Sequence, residues 1–443
     1  MRTALIFIAL LSLIPACDAD SPDAVYKFDF GNAETEKDFQ QVSSDRLFTG
    51  DNLYGFLPGL NPESVTSDAE SLIMNDLLMS EKPFVFVMEI PEGNYDVVVK
   101  LGNPGKNSKV TLKAESRRLM VHNCIVPAGG IRTITFTTNV RYPEINDSLS
   151  VRLKPREKGH FNWDQLLSVE FNGTYPSVFS MEVIRNYKAK TLYLAGNSTV
   201  TDQRFEPYSA WGQMLPFFFK PGIISVANHA ESGEALKSFI GEHRLEKIWN
   251  TIREGDYLFI QFAHNDQKPE SSAYLEARTG YKAYLKQYIS GAREHGAVPV
   301  LITPMQRRNF DDSGKVINTH GDYPEAMREV AREEGVKLID LEMMSRRLYE
   351  AMGSEDSKKL FVHYPAGSYP GQLNDLKDNS HHSTFGAFQL AKCVVEGIRQ
   401  NLPELSELLR DDIASYNPSV PDPYDEWKFP FSPVVDLMSP EGR

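Results

Sequence analysis

Two rhythms of apolar and polar positions divide the chain. From Ala24 to about Asn186, short apolar or alternating runs recur at 25–30, 84–90, 95–101, 109–114, 132–137, 149–153 and 166–171. Turn chemistry separates them, as in Pro91-Glu92-Gly93-Asn94 and Ala128-Gly129-Gly130. Short strands broken by frequent turns predict an all-β sandwich over 24–186. From about Tyr187 the pattern changes: strand-like runs at 191–195, 223–228, 257–262, 298–303 and 337–339 alternate with amphipathic stretches. In one of these, Tyr281, Tyr284, Leu285, Tyr288, Ile289 and Ala292 share one helix face, a core stripe rather than a binding surface. A last helix is predicted from Thr384 to about Asn401. Strand-helix alternation builds a parallel sheet with helices on both faces, here over 187–403. The Pro-rich, aromatic extension 404–443 reads as an irregular strap.

At 443 residues, two or three domains are expected. Apolar content of 41% and aromatic content of 11% suit globular cores. A net charge of −13 argues against a nucleic-acid partner. Residues 1–17, MRTALIFIALLSLIPAC, carry Arg2, then an apolar run too short for a bilayer span, then small residues. They read as an export signal, with Ile14-Pro15-Ala16-Cys17 resembling a bacterial lipobox. The expectation is an exported protein of the cell envelope, anchored by lipid at Cys17, or else a secreted one. The other two cysteines, Cys124 and Cys393, form neither a disulfide framework nor a zinc pattern.

The chemistry gathers where strands end. The run 191–195 stops at Gly196 and is followed by Asn197, Ser198 and Thr199. A Ser at the carboxyl end of a strand in an open α/β sheet stands where such sheets bind ligands. It becomes a nucleophile only with a base and with donors for the oxyanion; alone, it is an ordinary turn. Asp378-Asn379-Ser380-His381, just before the last helix, supplies an acid three residues ahead of a His, expected to face the same way in one turn. His382 is the rival base, expected to pack or to sit at the rim. Donor candidates are the Ser198 amide, Asn228 and Gly233 after the second strand, and the Asn265 side chain after the third. The fourth strand leads into Arg307 and Arg308; with Lys237 and Arg204 they are candidates to hold a carboxylate, or are simply solvated charges. Zinc, phosphate-loop and dinucleotide motifs are absent, and the chemistry calls for no metal or cofactor.

The blocks LAGNSTV, ESGEALKSF with EGDYLFIQFAHND, and DNSHHSTFGA together resemble the SGNH (GDSL-like) hydrolases, and within them the rhamnogalacturonan acetylesterase group of carbohydrate esterases. The likeness spans 190–401. It implies a flavodoxin-like three-layer α/β/α hydrolase domain behind a galactose-binding-like sandwich. It further implies Ser198 as nucleophile, Asp378 as acid, His381 as base, and Ser198, Gly233 and Asn265 as the oxyanion hole. The expected activity is removal of O-acetyl groups from an acetylated plant cell-wall polysaccharide, most of all rhamnogalacturonan, with acetylxylan as the nearest alternative. A catalytically inactive glycan-binding lipoprotein is the alternative of another class. Asn197 and Ala263 depart from the usual Asp and Gly of the superfamily, and tuning rather than loss of activity is expected.

Overall fold

The structure, a computed structural model, describes residues 25–369 and 372–433. The expected export signal over residues 1–17, with Cys17, lies outside the described residues.

The first domain is a sandwich of two antiparallel-rich sheets. One runs Ile131–Val140, Gly93–Gly102, Ser177–Arg185, Val25–Phe30 and Gln40–Val42, extended by Asp76–Met79 and Glu63–Thr66. The other runs Tyr54–Phe56, Phe84–Glu89, Leu166–Thr174, Ser108–Ala114 and Arg118–Val126. Alternating side chains from both sheets fill the interior, as the period of two requires. Phe28 and Phe30 meet Phe86 edge to face, with centroids 5.0 and 5.2 Å apart.

The α/β domain follows from β1 (Lys190–Gly196), β2 (Ile224–Asn228), β3 (Tyr257–Gln261), β4 (Val298–Ile302) and β5 (Lys337–Ile339). All pair in parallel, in the order β2-β1-β3-β4-β5, the flavodoxin-like arrangement. Successive residues of β1 face opposite layers. Leu192 and Leu194 pack with α5 (Leu341–Asp356) and α6 (Thr384–Asn401). Tyr193 and Ala195 pack with α1 (Leu236–Gly241), α2 (Arg244–Thr251), α3 (Lys282–Glu294) and α4 (Tyr323–Glu334). Tyr281 and Tyr288 are core, and their hydroxyls donate to the carbonyls of Phe262 and Leu236.

The segment 376–382 differs from expectation. It is not a turn but a strand, β7 (Leu376–His382), paired antiparallel with β6 (Phe361–Tyr364). Beyond residue 403 the strap crosses back to the sandwich, where Lys113 Nζ donates to the Pro430 carbonyl at 2.7 Å and Asn172 Nδ2 to that of Phe431 at 2.8 Å.

The seam between the domains joins apolar packing, with Leu119 of the sandwich in the α/β core, to buried ion pairs. Arg118 of the sandwich meets Asp202 at 2.6 Å, Arg117 meets Glu206 at 2.5 Å, and Glu157 meets Arg244 at 2.5 Å, all six side chains being buried. Arg117 also donates to the carbonyls of Gln203 and Tyr208, on the loop after Ser198.

Candidate active site

The order of the sheet reverses between β1 and β3, and the crevice at that point, beyond the carboxyl ends of the strands, is where open α/β sheets place ligands. Ser198 stands there, in a turn closed by the N–H groups of Val200 and Thr201 on the Asn197 carbonyl. Asn197 is fully buried, and its Oδ1 accepts from the Thr199 amide and hydroxyl. Gln203 Nε2 donates to the Ser198 carbonyl at 2.7 Å.

Ser198 and His381, 183 residues apart in sequence, meet in space: Ser198 Oγ lies 2.9 Å from His381 Nε2. His381 Nδ1 lies 2.8 Å from Asp378 Oδ2. A carboxylate only accepts, so Nδ1 carries the hydrogen, and Nε2 is left to accept from the Ser198 hydroxyl. All three residues are buried. The 378–381 spacing should set the acid and the base on opposite faces of a regular strand. A register shift prevents this: Phe361 pairs with His382 but His363 pairs with Lys377, leaving extra residues on β7. They fold as an Asx turn in which Asp378 Oδ1 accepts from the N–H groups of Ser380 and His381. The bulge therefore carries the geometry expected of a turn.

His382 packs away from the serine, its Nε2 3.0 Å from the Tyr349 hydroxyl and its ring 4.4 Å from that of Phe361. Burial pushes its pKa down to about 3.

Among the donor candidates, Asn228 is occupied by its own domain, giving its Nδ2 hydrogens to the Val200 carbonyl and Asp202 Oδ1, both at 2.8 Å. The backbone amides of Ser198 and Gly233 meet no acceptor among the described residues. Asn265 Nδ2 gives one hydrogen to the Glu234 carbonyl at 2.9 Å, which ties the loop after β3 to the loop of Gly233. Ala263 stands at φ 125, in the region that favours glycine. The departure from the usual Gly is therefore a strained residue in the turn that carries Asn265.

The basic residues part company. Arg308 gives its guanidinium to Ser357 Oγ, Asn379 Oδ1 and the Ser354 carbonyl, and its backbone N–H to the Asn379 carbonyl. It braces the strand that carries the acid and the base. Arg307 is half-buried beside Thr319 and the His264 carbonyl, and has no carboxylate partner among the described residues. Lys237 is exposed on α1 and donates to the Ser272 carbonyl. Arg204 pairs with Glu231 at 3.3 Å. Sequence reasoning missed Gln203, the bracing role of Arg308, and the sandwich residues Lys154 and Arg156, which reach the loop of Gly233. Gln203 reaches back only five residues to Ser198, but the contacts of Arg308, Lys154 and Arg156 join distant segments and leave no local pattern.

Residues 194–365 match the GDSL-like lipase/acylhydrolase family, and residues 26–123 match the β-agarase/YXIM esterase-like, galactose-binding domain-like family. The chain belongs to the GDSL-like hydrolases, and is a carboxylic ester hydrolase. It is 42% identical over 226 residues to the rhamnogalacturonan acetylesterase RhgT of Bacillus subtilis, covering 51% of this chain and 94% of that one. The uncharacterised esterase YxiM of the same organism is 25% identical over 392 residues, covering 85% of this chain and 91% of its own. The crystal structure of the B. subtilis YXIM protein aligns at 23% identity and a TM-score of 0.44, covering 85% of this chain and 98% of that one.

Proposed function

We propose that the protein is a serine carbohydrate esterase that removes O-acetyl groups from a pectic polysaccharide, rhamnogalacturonan above all. The observation that carries the reading is the unbroken Asp378–His381–Ser198 relay, with contacts of 2.8 and 2.9 Å, at the sheet's switch point. His381 Nε2 takes the Ser198 proton as Oγ attacks the acetyl carbonyl carbon. The oxyanion is received by the Ser198 and Gly233 amides and the second Asn265 amide hydrogen. His381 then returns its proton to the departing sugar oxygen. Water, activated by the same imidazole, cleaves the acetyl-enzyme and releases acetate. Asp378 holds the ring in one tautomer and stabilises the imidazolium.

The kinship to RhgT supports rhamnogalacturonan as the substrate. So does Arg307: an arginine beside the Asn265 loop without an internal carboxylate suits the carboxylate of a galacturonate unit. The export signal and Cys17 belong to the same proposal, of an envelope protein that meets extracellular glycan; membrane fractionation of wild type and Cys17→Ser tests the anchor. The substrate is tested by acetate release from acetylated rhamnogalacturonan, xylan and mannan, with wild type and Ser198→Ala. Release from rhamnogalacturonan by wild type alone is expected. Preference for xylan overturns the substrate, and equal release by the variant overturns the mechanism.

A further inference from the structure

Gly233 is the third residue of a turn over 231–234, closed by the Glu234 N–H on the Glu231 carbonyl at 3.2 Å, and its φ is +83. A positive φ at the third position is the type II form. Types I and II differ in the direction of the central peptide, here Ser232–Gly233, and glycine accepts both. Something must choose.

Two cations of the sandwich converge on that peptide. Lys154 Nζ donates to the Ser232 carbonyl at 2.8 Å and Arg156 Nη2 at 2.6 Å. Each also grips an acid at an end of the turn: Lys154 Nζ lies 2.5 Å from Glu234, and Arg156 Nε 3.1 Å from Glu231. Their own segment is anchored by Glu157 on Arg244 and by the Arg152 N–H on the Glu242 carbonyl. In a planar trans peptide the C=O and N–H point in opposite directions. Cations on the Ser232 carbonyl therefore send the Gly233 N–H the other way, away from the sandwich.

We infer that Lys154 and Arg156 are positioning residues that hold the Ser232–Gly233 peptide in the orientation that offers the Gly233 amide to the oxyanion. The inference rests on the esterase reading above. It gives the sandwich a part in catalysis without any contact with the substrate. Reversal of the peptide would present the Ser232 carbonyl to a developing negative charge, so the clamp acts on the transition state more than on the bound ester.

The test uses the full chain and p-nitrophenyl acetate. Lys154→Met and Arg156→Met leave Glu234 and Glu231 with Arg244 and Arg204 as partners, so both acids keep a cation. The double variant is expected to lose ~10–100-fold in kcat, a share of the ~10²–10³ that removing one oxyanion donor costs, with KM changed less than about twofold. Lys154→Arg with Arg156→Lys keeps both donors and should recover most of kcat. A crystal structure of the Met double variant should show the Ser232–Gly233 peptide reversed. Full kcat in the folded double variant overturns the inference. So does a loss that the charge-preserving pair fails to recover, or an unmoved peptide. If wild type itself releases no acetate from any ester, the esterase reading falls, and the peptide in the variant crystal still decides the clamp.

Discussion

Inside the sandwich, Phe28, Phe30, Phe86 and Phe171 pack around an apolar interior; the seam with the α/β domain, besides Leu119, buries the ion pairs Arg118 with Asp202, Arg117 with Glu206 and Arg244 with Glu157. An apolar core accepts exchanges of similar volume. A buried ion pair does not tolerate the loss of one partner, because its removal strands the other without solvent. The seam also leads to the site. Asp202 takes Arg118 on one oxygen and Asn228 on the other, and Arg117 holds two carbonyls of the loop after Ser198. The difference teaches that the sandwich is fixed to the surroundings of Ser198 by partners that cannot change one at a time, while its own interior can drift.

The largest effect expected lies inside the α/β domain. His381→Ala should cost on the order of 10⁶ in kcat with little change in unfolding temperature, as loss of a triad base does elsewhere; steady-state kinetics and calorimetry check it. Next comes the contrast itself. Arg118→Met leaves Asp202 buried without its cation and should cost about 3–5 kcal/mol of stability, with a fall in kcat. Met181→Leu, in the sandwich core, should cost less than about 1.5 kcal/mol and leave kcat unchanged. Urea unfolding of the two variants giving equal losses would erase the distinction.

A third prediction concerns pH. Asp266 accepts the N–H groups of Leu236 and Ala263, and burial raises its pKa from 3.8 to about 7. A raised carboxyl binds its proton more tightly in the folded state, so its contribution is full at low pH and lost as pH climbs from ~4 to ~7. Asp266→Asn should lack that component, and the wild-type-minus-variant difference in stability should fall across this window. A flat difference contradicts it. Smallest is Ala263→Gly, which relieves a positive φ and should gain about 1 kcal/mol, read as a rise in unfolding midpoint.

The parallel strands were legible in the sequence because each is a near-continuous apolar run between helices, and β1 to β5 fall where those runs lie. Brief strands such as Gln40–Val42 and Tyr54–Phe56 were not, since three residues carry no periodicity. Ser198, Asp378 and His381 could be named from their places at the ends of elements, but the bulge that turns acid and base to one side could not, because register is set by the partner strand. Arg308 was read toward the substrate because it follows β4, and only the fold shows Asn379, 71 residues on, accepting its guanidinium. Lys154 and Arg156 carry no local mark of their task; their partners are more than 70 residues away.

The most direct measurement of the esterase reading is the site of covalent labelling by an organophosphate that mimics the acyl transition state, mapped by peptide mass spectrometry on wild type and His381→Ala. Stoichiometric modification of Ser198, with loss of acetate release in step and a far slower reaction in the variant, is the expected result. A label on another residue, or full acetate release from a protein modified at Ser198, would contradict it.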